Sequence, residues 1–409
     1  HMGQCLCRNL RQTARKLGST GFDLLSGLPL FQALTHTEDT AEPSGYCCRQ
    51  TLSGGLVGLA EVLPALGMSD DDMGAAHSGE HGGRYLAGIG TGRGKVAVLG
   101  AGAVGSYVIW GLSARRDIEL GVVTDGPRGE RLKKDGCAIN GKIYRPAVWT
   151  PQEAHDADLL IVCLKYGALP GALDSIKAVT GPHTTIMSLM NGVDSEDIIA
   201  SAVGGEHLLY SLIKVASHKE ADGFHFDPAT TVGIIFGEKE SPCDSPRVKA
   251  VEALFGGTEL HFRATDCIRE EMWSKFRLNV CNNLPQAILG AGVGCYRDSV
   301  HMKAISDGLR RELEAIAAAK GIDMQKVDAV SGKGCAVKPS ARYSTLQDLD
   351  AGRHTEIDMF SGALIRMGKE LGIPTPYNEF AYHMIKALEE KNDGKFDYTG
   401  PNQEMTWAK

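Results

Sequence analysis

Lys95-Val96-Ala97-Val98-Leu99 is a short apolar run that ends in Gly100-Ala101-Gly102-Ala103-Val104-Gly105. No other stretch limits the fold so strongly. A strand, a Gly-x-Gly-x-x-Gly turn and a helix from Val104 to about Arg115 form the unit that holds a dinucleotide pyrophosphate. Each glycine meets a separate demand. Gly100 turns the chain off the strand, Gly102 brings backbone to the phosphates with no side chain between, and Gly105 lets the helix lie on the strand. The helix start adds unpaired N–H groups and the positive end of the helix dipole. Gly100, Ala101, Gly102, Ala103, Val104 and Gly105 are therefore the expected cofactor-binding turn. In a chain with 50 glycines the motif alone carries little, and its strand and helix neighbours give it weight.

The text after this unit reads as more of the same sheet. Ile118 to Asp125 is a second apolar strand, as a sheet buried on both faces requires. Asp125 stands 20 residues past Gly105, where the tip of a second strand meets the adenosine ribose. A carboxylate there bonds the 2′-hydroxyl and repels a 2′-phosphate, which favours NAD. Arg128, Arg131, Lys133 and Lys134 follow in what reads as a loop, and Arg128 is the group a 2′-phosphate wants. The two signals conflict. Ala157–Leu164 and Thr184–Met190 are further strands, and they deliver Lys165 and Asn191-Gly192. Ligands of open parallel sheets bind beyond the carboxyl ends of the strands, so both residues are expected on the edge of the glycine turn. Shorter strands around Gly223–Gly237 are expected to run antiparallel and to cover the sheet edge.

From about Thr265 the pattern becomes helical. Cys267–Cys281 puts Trp273, Phe276 and Val280 on one side, while Lys275, Asn279 and Asn283 recur every four residues and line another. Asparagine is a poor interior helix residue, so this polar row calls for a reason such as ligand contact. Met302, Ile305, Leu309, Leu313 and Ile316 mark an amphipathic helix whose apolar side is core. Ser344–Asp348 reads as a polar loop feeding Thr355-Glu356-Ile357-Asp358, which is expected to open another helix. Gly372–Pro376 ends that helix and starts the last.

Composition closes off several function classes. A net charge of −7 without a basic stripe argues against nucleic acid. The apolar runs are too short to span a membrane. Eleven cysteines without a Cys-x-x-Cys pair show neither zinc spacing nor a disulfide framework. No metal is expected, and the thiols read as small buried hydrophobes of a cytoplasmic protein.

Residues 1–93 form a separate expectation. His1–Gly21 holds Arg8, Arg11, Arg15 and Lys16 and no acid, a bias that resembles an organelle transit segment. Met2-Gly3-Gln4-Cys5-Leu6-Cys7 resembles an acylation signal, with Cys7 where serine or threonine is usual. Ser69–Gly94 reads as a linker rich in Gly, Asp and His. A disordered extension without an address is the plainer account. The domains read as 1–93, an extension; 94–265, a dinucleotide-binding unit; and 266–409, a helical substrate and catalytic unit.

Taken as a set, several motifs resemble the ketopantoate reductase (2-dehydropantoate 2-reductase) family. They are the glycine turn, Cys163-Leu164-Lys165, Met190-Asn191-Gly192, Trp273-Ser274-Lys275-Phe276-Arg277-Leu278-Asn279 with Asn283, and Gln347-Asp348 followed by His354-Thr355-Glu356-Ile357-Asp358. The resemblance implies an α/β architecture: a Rossmann-type parallel sheet domain followed by an all-helical C-terminal domain of the 6-phosphogluconate dehydrogenase C-terminal-like kind. It also implies reduction of a 2-keto acid to the (R)-2-hydroxy acid with NADPH, in a cleft between the domains.

Carried over by position, Lys275 is the catalytic acid and Glu356 the carboxylate that holds the substrate hydroxyl. Lys165 and Asn191 lie near the nicotinamide and the substrate carbonyl, and Asn279, Asn283 and Ser344 bind substrate polar groups. Three positions depart from the family pattern. Tyr166-Gly167-Ala168 replaces a glutamine after the strand-end lysine, Ala341 replaces an asparagine, and Asp125 replaces an arginine.

The chemistry fits those residues without the name. Hydride arriving on a carbonyl carbon leaves negative charge on oxygen, and a lysine ammonium both neutralises that charge and donates a proton. The expected activity is an NADP-dependent reductase of a small 2-keto acid, with ketopantoate as first choice, in pantothenate biosynthesis, acting as a homodimer. An NAD-dependent D-2-hydroxyacid dehydrogenase is the near alternative. A dinucleotide sensor, with Lys275 and Glu356 as an interdomain ion pair, is the distant one.

Overall fold

The computed structural model describes residues 94–398 apart from 241 and 332–336. The readings of residues 1–93 as transit segment, acylation site or linker lie outside the described residues. The chain begins with β1 (Gly94–Leu99), α1 (Ala103–Leu112), β2 (Ile118–Val123), α2 (Gly126–Asp135), and the short strands β3 (Cys137–Ile139), β4 (Lys142–Tyr144) and β5 (Ala147–Trp149). Next come β6 (Leu159–Val162), α3 (Leu169–Val179), β7 (Thr185–Ser188), α4 (Ser195–Val203) and β8 (Tyr210–Lys214). After β9 (His218–Glu220), β10 (Gly223–His225), β11 (Gly233–Gly237), α5 (Pro246–Phe255) and β12 (Phe262–Ala264), the remaining elements are helices.

The central sheet is wholly parallel, in the order β5-β2-β1-β6-β7. Val96, Ala97 and Val98 of β1 and all four residues of β6 are fully buried, which is why both strands read as unbroken apolar runs. Strand order reverses between β1 and β6. That reversal opens a crevice at the carboxyl ends, where the glycine turn follows β1 and Lys165 follows β6. β8 continues the sheet past β7 through a parallel bridge of Leu208 to Ile186. The covering strands are mixed rather than purely antiparallel. β8 runs antiparallel to β11 and β9 to β10, whereas β12 joins β11, and β10 joins β3, in parallel.

The helical part consists of α6 (Ile268–Leu278), a π turn (Asn279–Asn283), α7 (Leu284–Leu289), α8 (Cys295–Asp298), α9 (Val300–Ala319), α10 (Met324–Val330), α11 (Ser344–Asp350), α12 (Ser361–Leu371) and α13 (Pro376–Asn392). Trp273, Phe276 and Val280 are buried together with Leu309, Leu313 and Ile316 of α9. Ile305 departs from its expected core position and is 37% exposed, at the edge of the apolar stripe.

Three local readings are corrected. The segment holding Arg128 is the helix α2, opened by Pro127 in its first turn, and not a loop. Ser344–Asp348 is the start of α11, where Leu346 and Leu349 are buried one turn apart over a helix too short to show periodicity. Thr355–Asp358 does not open a helix. Glu389 of α13 accepts bonds from both the Thr355 amide and its hydroxyl at 2.7 Å, and α12 starts only at Ser361.

Under the β7–α4 loop lies a buried chain of polar groups. Ser188 and Ser195 share a 2.8 Å hydrogen bond, and Ser195 donates to Glu196 at 2.9 Å. Burial pushes the Glu196 carboxyl up to about 8, well above its ordinary 4.5. A carboxyl raised in the folded state leaves its stability contribution intact below about 4.5, and that contribution is lost as pH rises through about 8. Glu196→Gln, neutral at every pH, is expected to remove this loss. The parent should lose a few kcal/mol of stability between pH 5.5 and 8.5 that the variant keeps, read by thermal melting at both pH values.

Candidate active site

The glycine turn has the shape its three glycines predict. Gly100 has a φ of +106°, and a Cβ there would lie 2.7 Å from the Cys163 carbonyl oxygen of the neighbouring strand. A Cβ on Gly105 would lie 1.9 Å from the Gly100 carbonyl oxygen. Among the described residues, a Cβ on Gly102 would meet nothing within 4 Å. Gly102 is also the N-cap of α1 and, having no side chain, leaves the first α1 amides without a side-chain capping bond. A pyrophosphate fits this cradle: room above Gly102, N–H donors and a helix N-terminus.

Asp125 sits two residues past β2, at the carboxyl edge of the sheet, and is the N-cap of α2. Its carboxylate makes no capping bond, which leaves the α2 amides open to an anion alongside exposed Arg128.

The polar centre is built on Lys275 of α6. Its ammonium donates to Asn191 Oδ1 at 2.7 Å and to the Ile213 carbonyl of β8 at 2.6 Å. Asn191 Nδ2 in turn donates to Glu356 Oε2 at 3.0 Å, and Lys165 Nζ lies 3.8 Å from the same oxygen. Asn191 thus stands between Lys275 and Glu356, and the two reach each other through it. Burial pushes the Lys275 ammonium down to about 8; Glu356 opposes the shift and the like charge of Lys214 adds to it. Three elements of the sheet part and two of the helical part meet here.

Further along the same helical row the polar side chains are loosely held. Asn283 Nδ2 lies 3.4 Å from Asn279 Oδ1 and 3.5 Å from Ser344 Oγ, while Asn283 Oδ1 is buried with no partner. An orphan buried acceptor is a place for a ligand donor. The π turn that presents Asn279 and Asn283 precedes Pro285, which has no N–H to give the Cys281 carbonyl. Tyr296 receives the Gln286 amide at 3.1 Å and donates to the Asn282 carbonyl, fixing the widened turn. Gln286 accepts from the Tyr343 amide at 2.6 Å and so brings Ser344 to the row.

Sequence reasoning missed this support because it rests on backbone groups and on partners far along the chain. The Ile213 carbonyl has no sequence signature at all. Gln286 had a faint one, as a polar residue inside the apolar stretch Leu284–Leu289, and Tyr296 had none.

Where the family's glutamine is absent, Tyr166 does something else. Its hydroxyl donates to Asp194 Oδ2 at 2.7 Å and receives Arg366 of α12 at 2.6 Å. Arg366 also reaches Asp194 at 3.2 Å, so this trio ties the sheet part to the helical part beside the cleft.

Among the described residues, Cys137, Cys163, Cys243, Cys267, Cys281 and Cys295 are free thiols, and burial raises all six above the ordinary thiol range. Such groups are poor nucleophiles and metal ligands. Among the described residues, no helix is long and apolar enough to cross a membrane.

The chain resembles known proteins over the whole of this fold. Residues 96–240 match the family model described as "Ketopantoate reductase PanE/ApbA", and 267–389 match "Ketopantoate reductase PanE/ApbA C terminal". The 2-dehydropantoate 2-reductase of Mesorhizobium japonicum is 24% identical over 322 residues, 72% of this chain and 97% of that protein. That of Pyrococcus horikoshii is 28% identical over 311 residues, 73% and 99% of the two chains. Among solved structures, a ketopantoate reductase from Ralstonia eutropha superposes with a TM-score of 0.59 at 24% identity, over 73% of this chain and 99% of its own. D-mandelate dehydrogenase with NADH and anilino(oxo)acetate superposes at 0.61 with 22% identity, over 73% and 99%. Both structures share the fold.

Proposed function

The chain belongs to the ketopantoate reductase family, and from that premise we propose that it reduces a 2-keto acid to the (R)-2-hydroxy acid with NADPH, with 2-dehydropantoate as substrate and (R)-pantoate as product. Lys275 carries the reading. An ammonium has three N–H donors. Asn191 and the Ile213 carbonyl take two of them, which leaves one for a substrate carbonyl oxygen.

The bound dinucleotide supplies the hydride. The protein's own residues do the rest. Asn191 and Ile213 hold the Lys275 ammonium in one orientation, and it passes its third proton to the oxygen as charge develops there. Its pKa of about 8 keeps it protonated at neutral pH yet ready to release a proton. Glu356, held by Asn191 and facing Lys165, is an acceptor for the substrate hydroxyl. Asn279, Asn283 and Ser344 take the remaining polar groups, with the free Asn283 Oδ1 as one acceptor.

A second reading, an NAD-dependent D-2-hydroxyacid dehydrogenase, is favoured by the Asp125 carboxylate at the ribose position. Steady-state oxidation of NADPH and NADH, with 2-dehydropantoate and with other 2-keto acids, separates the two. The proposal expects the highest kcat/KM for 2-dehydropantoate with NADPH. A higher value for another keto acid with NADH selects the second reading, and dinucleotide binding without turnover of any keto acid makes the chain a sensor.

Cofactor choice depends on Arg128 and the open α2 amides. Arg128→Ala is expected to weaken NADPH by roughly 10- to 100-fold, the worth of a charge-assisted phosphate contact, and to leave NADH within about twofold. Titration of both cofactors by nicotinamide fluorescence reads this. Equal effects on the two would remove Arg128 from the site.

A further inference from the structure

Lys214, the last residue of β8, has no role in the account so far, yet it lies at the ligand edge of the sheet. β8 runs parallel to β7 at the Ile186–Leu208 bridge, so its carboxyl end falls on the same edge as Asn191. The carbonyl of the preceding residue, Ile213, accepts a hydrogen bond from the Lys275 ammonium, and the charge of Lys214 is felt at Lys275.

Its partner is a weak one. Glu271 is 2% exposed and sits one helical turn before Lys275, on the same face of α6. Arg263 of β12 already holds Glu271 Oε1, and Lys214 Nζ stands 3.8 Å from Oε2, beyond hydrogen-bond reach. Arg263 thus holds one oxygen of Glu271, Lys214 stands 3.8 Å from the other, and the Lys214 side chain keeps a third of its surface exposed.

Resting on the proposed keto-acid reading, we infer that Lys214 binds the carboxylate of the substrate. Lys275 gives its free proton to the carbonyl oxygen, and an adjacent carboxylate then needs its own cation. Lys165 and Lys214 each hold only a 3.8 Å ion pair on that edge, but Lys165 faces Glu356, the acceptor for the substrate hydroxyl, whereas the carboxylate that Lys214 faces is already held by Arg263. The cofactor is a poor competitor for it. β8 lies three strand positions from β1, about 14 Å from the pyrophosphate turn.

Lys214→Met and Lys214→Arg test the assignment, with a 2-keto acid and its neutral amide as paired ligands. Turnover with NADPH is followed, and binding to the protein loaded with oxidised NADP, which has no hydride to give the keto acid, is followed separately by calorimetry. In Lys214→Met, KM and Kd for the acid are expected to rise roughly 10- to 100-fold, with kcat changed far less. The amide should shift by less than about twofold, NADPH affinity should hold, and Lys214→Arg should restore most of the acid's affinity.

Unchanged acid affinity in Lys214→Met, or equal losses for acid and amide, overturns the inference while leaving the reductase reading in place. A keto acid that binds through Lys214 but is not turned over by the parent overturns the reductase reading and keeps the inference. Arginine, which preserves the charge, guards against a variant that merely fails to fold, because loss of the acid's affinity in a folded Lys214→Arg overturns the assignment as well.

Discussion

Lys275→Ala should lower kcat for keto-acid reduction by roughly 10²–10⁴, the usual range for a positioned proton donor. Dinucleotide affinity should be nearly unchanged, because the cradle around Gly102 and the Asp125–Arg128 end belong to the sheet and not to α6. The pH profile gives an independent reading. Burial holds the ammonium at about 8, and only the protonated form can donate, so reduction should fall about tenfold per pH unit above that value. Oxidation of the hydroxy acid should rise over the same range, since the neutral amine then acts as base.

Stability moves the other way. The folded pKa of Lys275 lies below its ordinary 10.5, so the charged form is disfavoured by folding. Its cost is fully present below about pH 8 and disappears as pH rises toward 10.5. Lys275→Met should therefore melt no lower than the parent at pH 7 while losing turnover. A folded variant reducing its keto acid at near the parent rate would remove Lys275 from the chemistry.

The parts of this site that could be read from sequence are those whose signal is local. The glycine turn lies within six residues, and the strands that lead, three residues on, to Lys165 and Asn191 are short apolar runs that name their own carboxyl ends. The four-residue spacing of Lys275, Asn279 and Asn283 reports a shared face even though a π turn, not a regular helix, presents the last two.

What escaped sequence reading depends on partners distant in the chain. Glu389 diverts Thr355 from capping a helix, and so sets Glu356 in a turn, from 34 residues away. The Ile213 carbonyl reaches Lys275 across 62 residues and is independent of which side chain stands there. Lys214 belongs to no motif in the sequence. Only the pairing of Glu271 with Arg263 shows that it is left with donors to spare.

The glycine turn allows folding and cofactor binding to be separated. A Cβ on Gly105 would overlap the Gly100 carbonyl oxygen at 1.9 Å, a backbone contact that no rotamer relieves. Relief requires α1 to move off β1, where Tyr107, Val108 and Ile109 are packed at 1% exposure or less. Gly105→Ala should cost stability in the range of an overpacked core site, about 1–3 kcal/mol or more, together with dinucleotide affinity.

Gly102→Ala is the contrasting case. Its Cβ meets nothing within 4 Å among the described residues, and Gly102 has an extended φ of −85°, which alanine adopts without strain. The melting temperature should therefore stay close to that of the parent. The space the methyl enters is the space a phosphate must occupy to reach the α1 amides, so affinity for NADPH and NADH should fall together, by 100-fold or more on the order of two lost hydrogen bonds to a charged group. Thermal melting with and without cofactor reads both effects: Gly102→Ala should match the parent without dinucleotide and lose most of the stabilisation that dinucleotide gives. Full stabilisation of Gly102→Ala by NADPH would mean that the pyrophosphate lies elsewhere, and the crevice between β1 and β6 would lose its assignment.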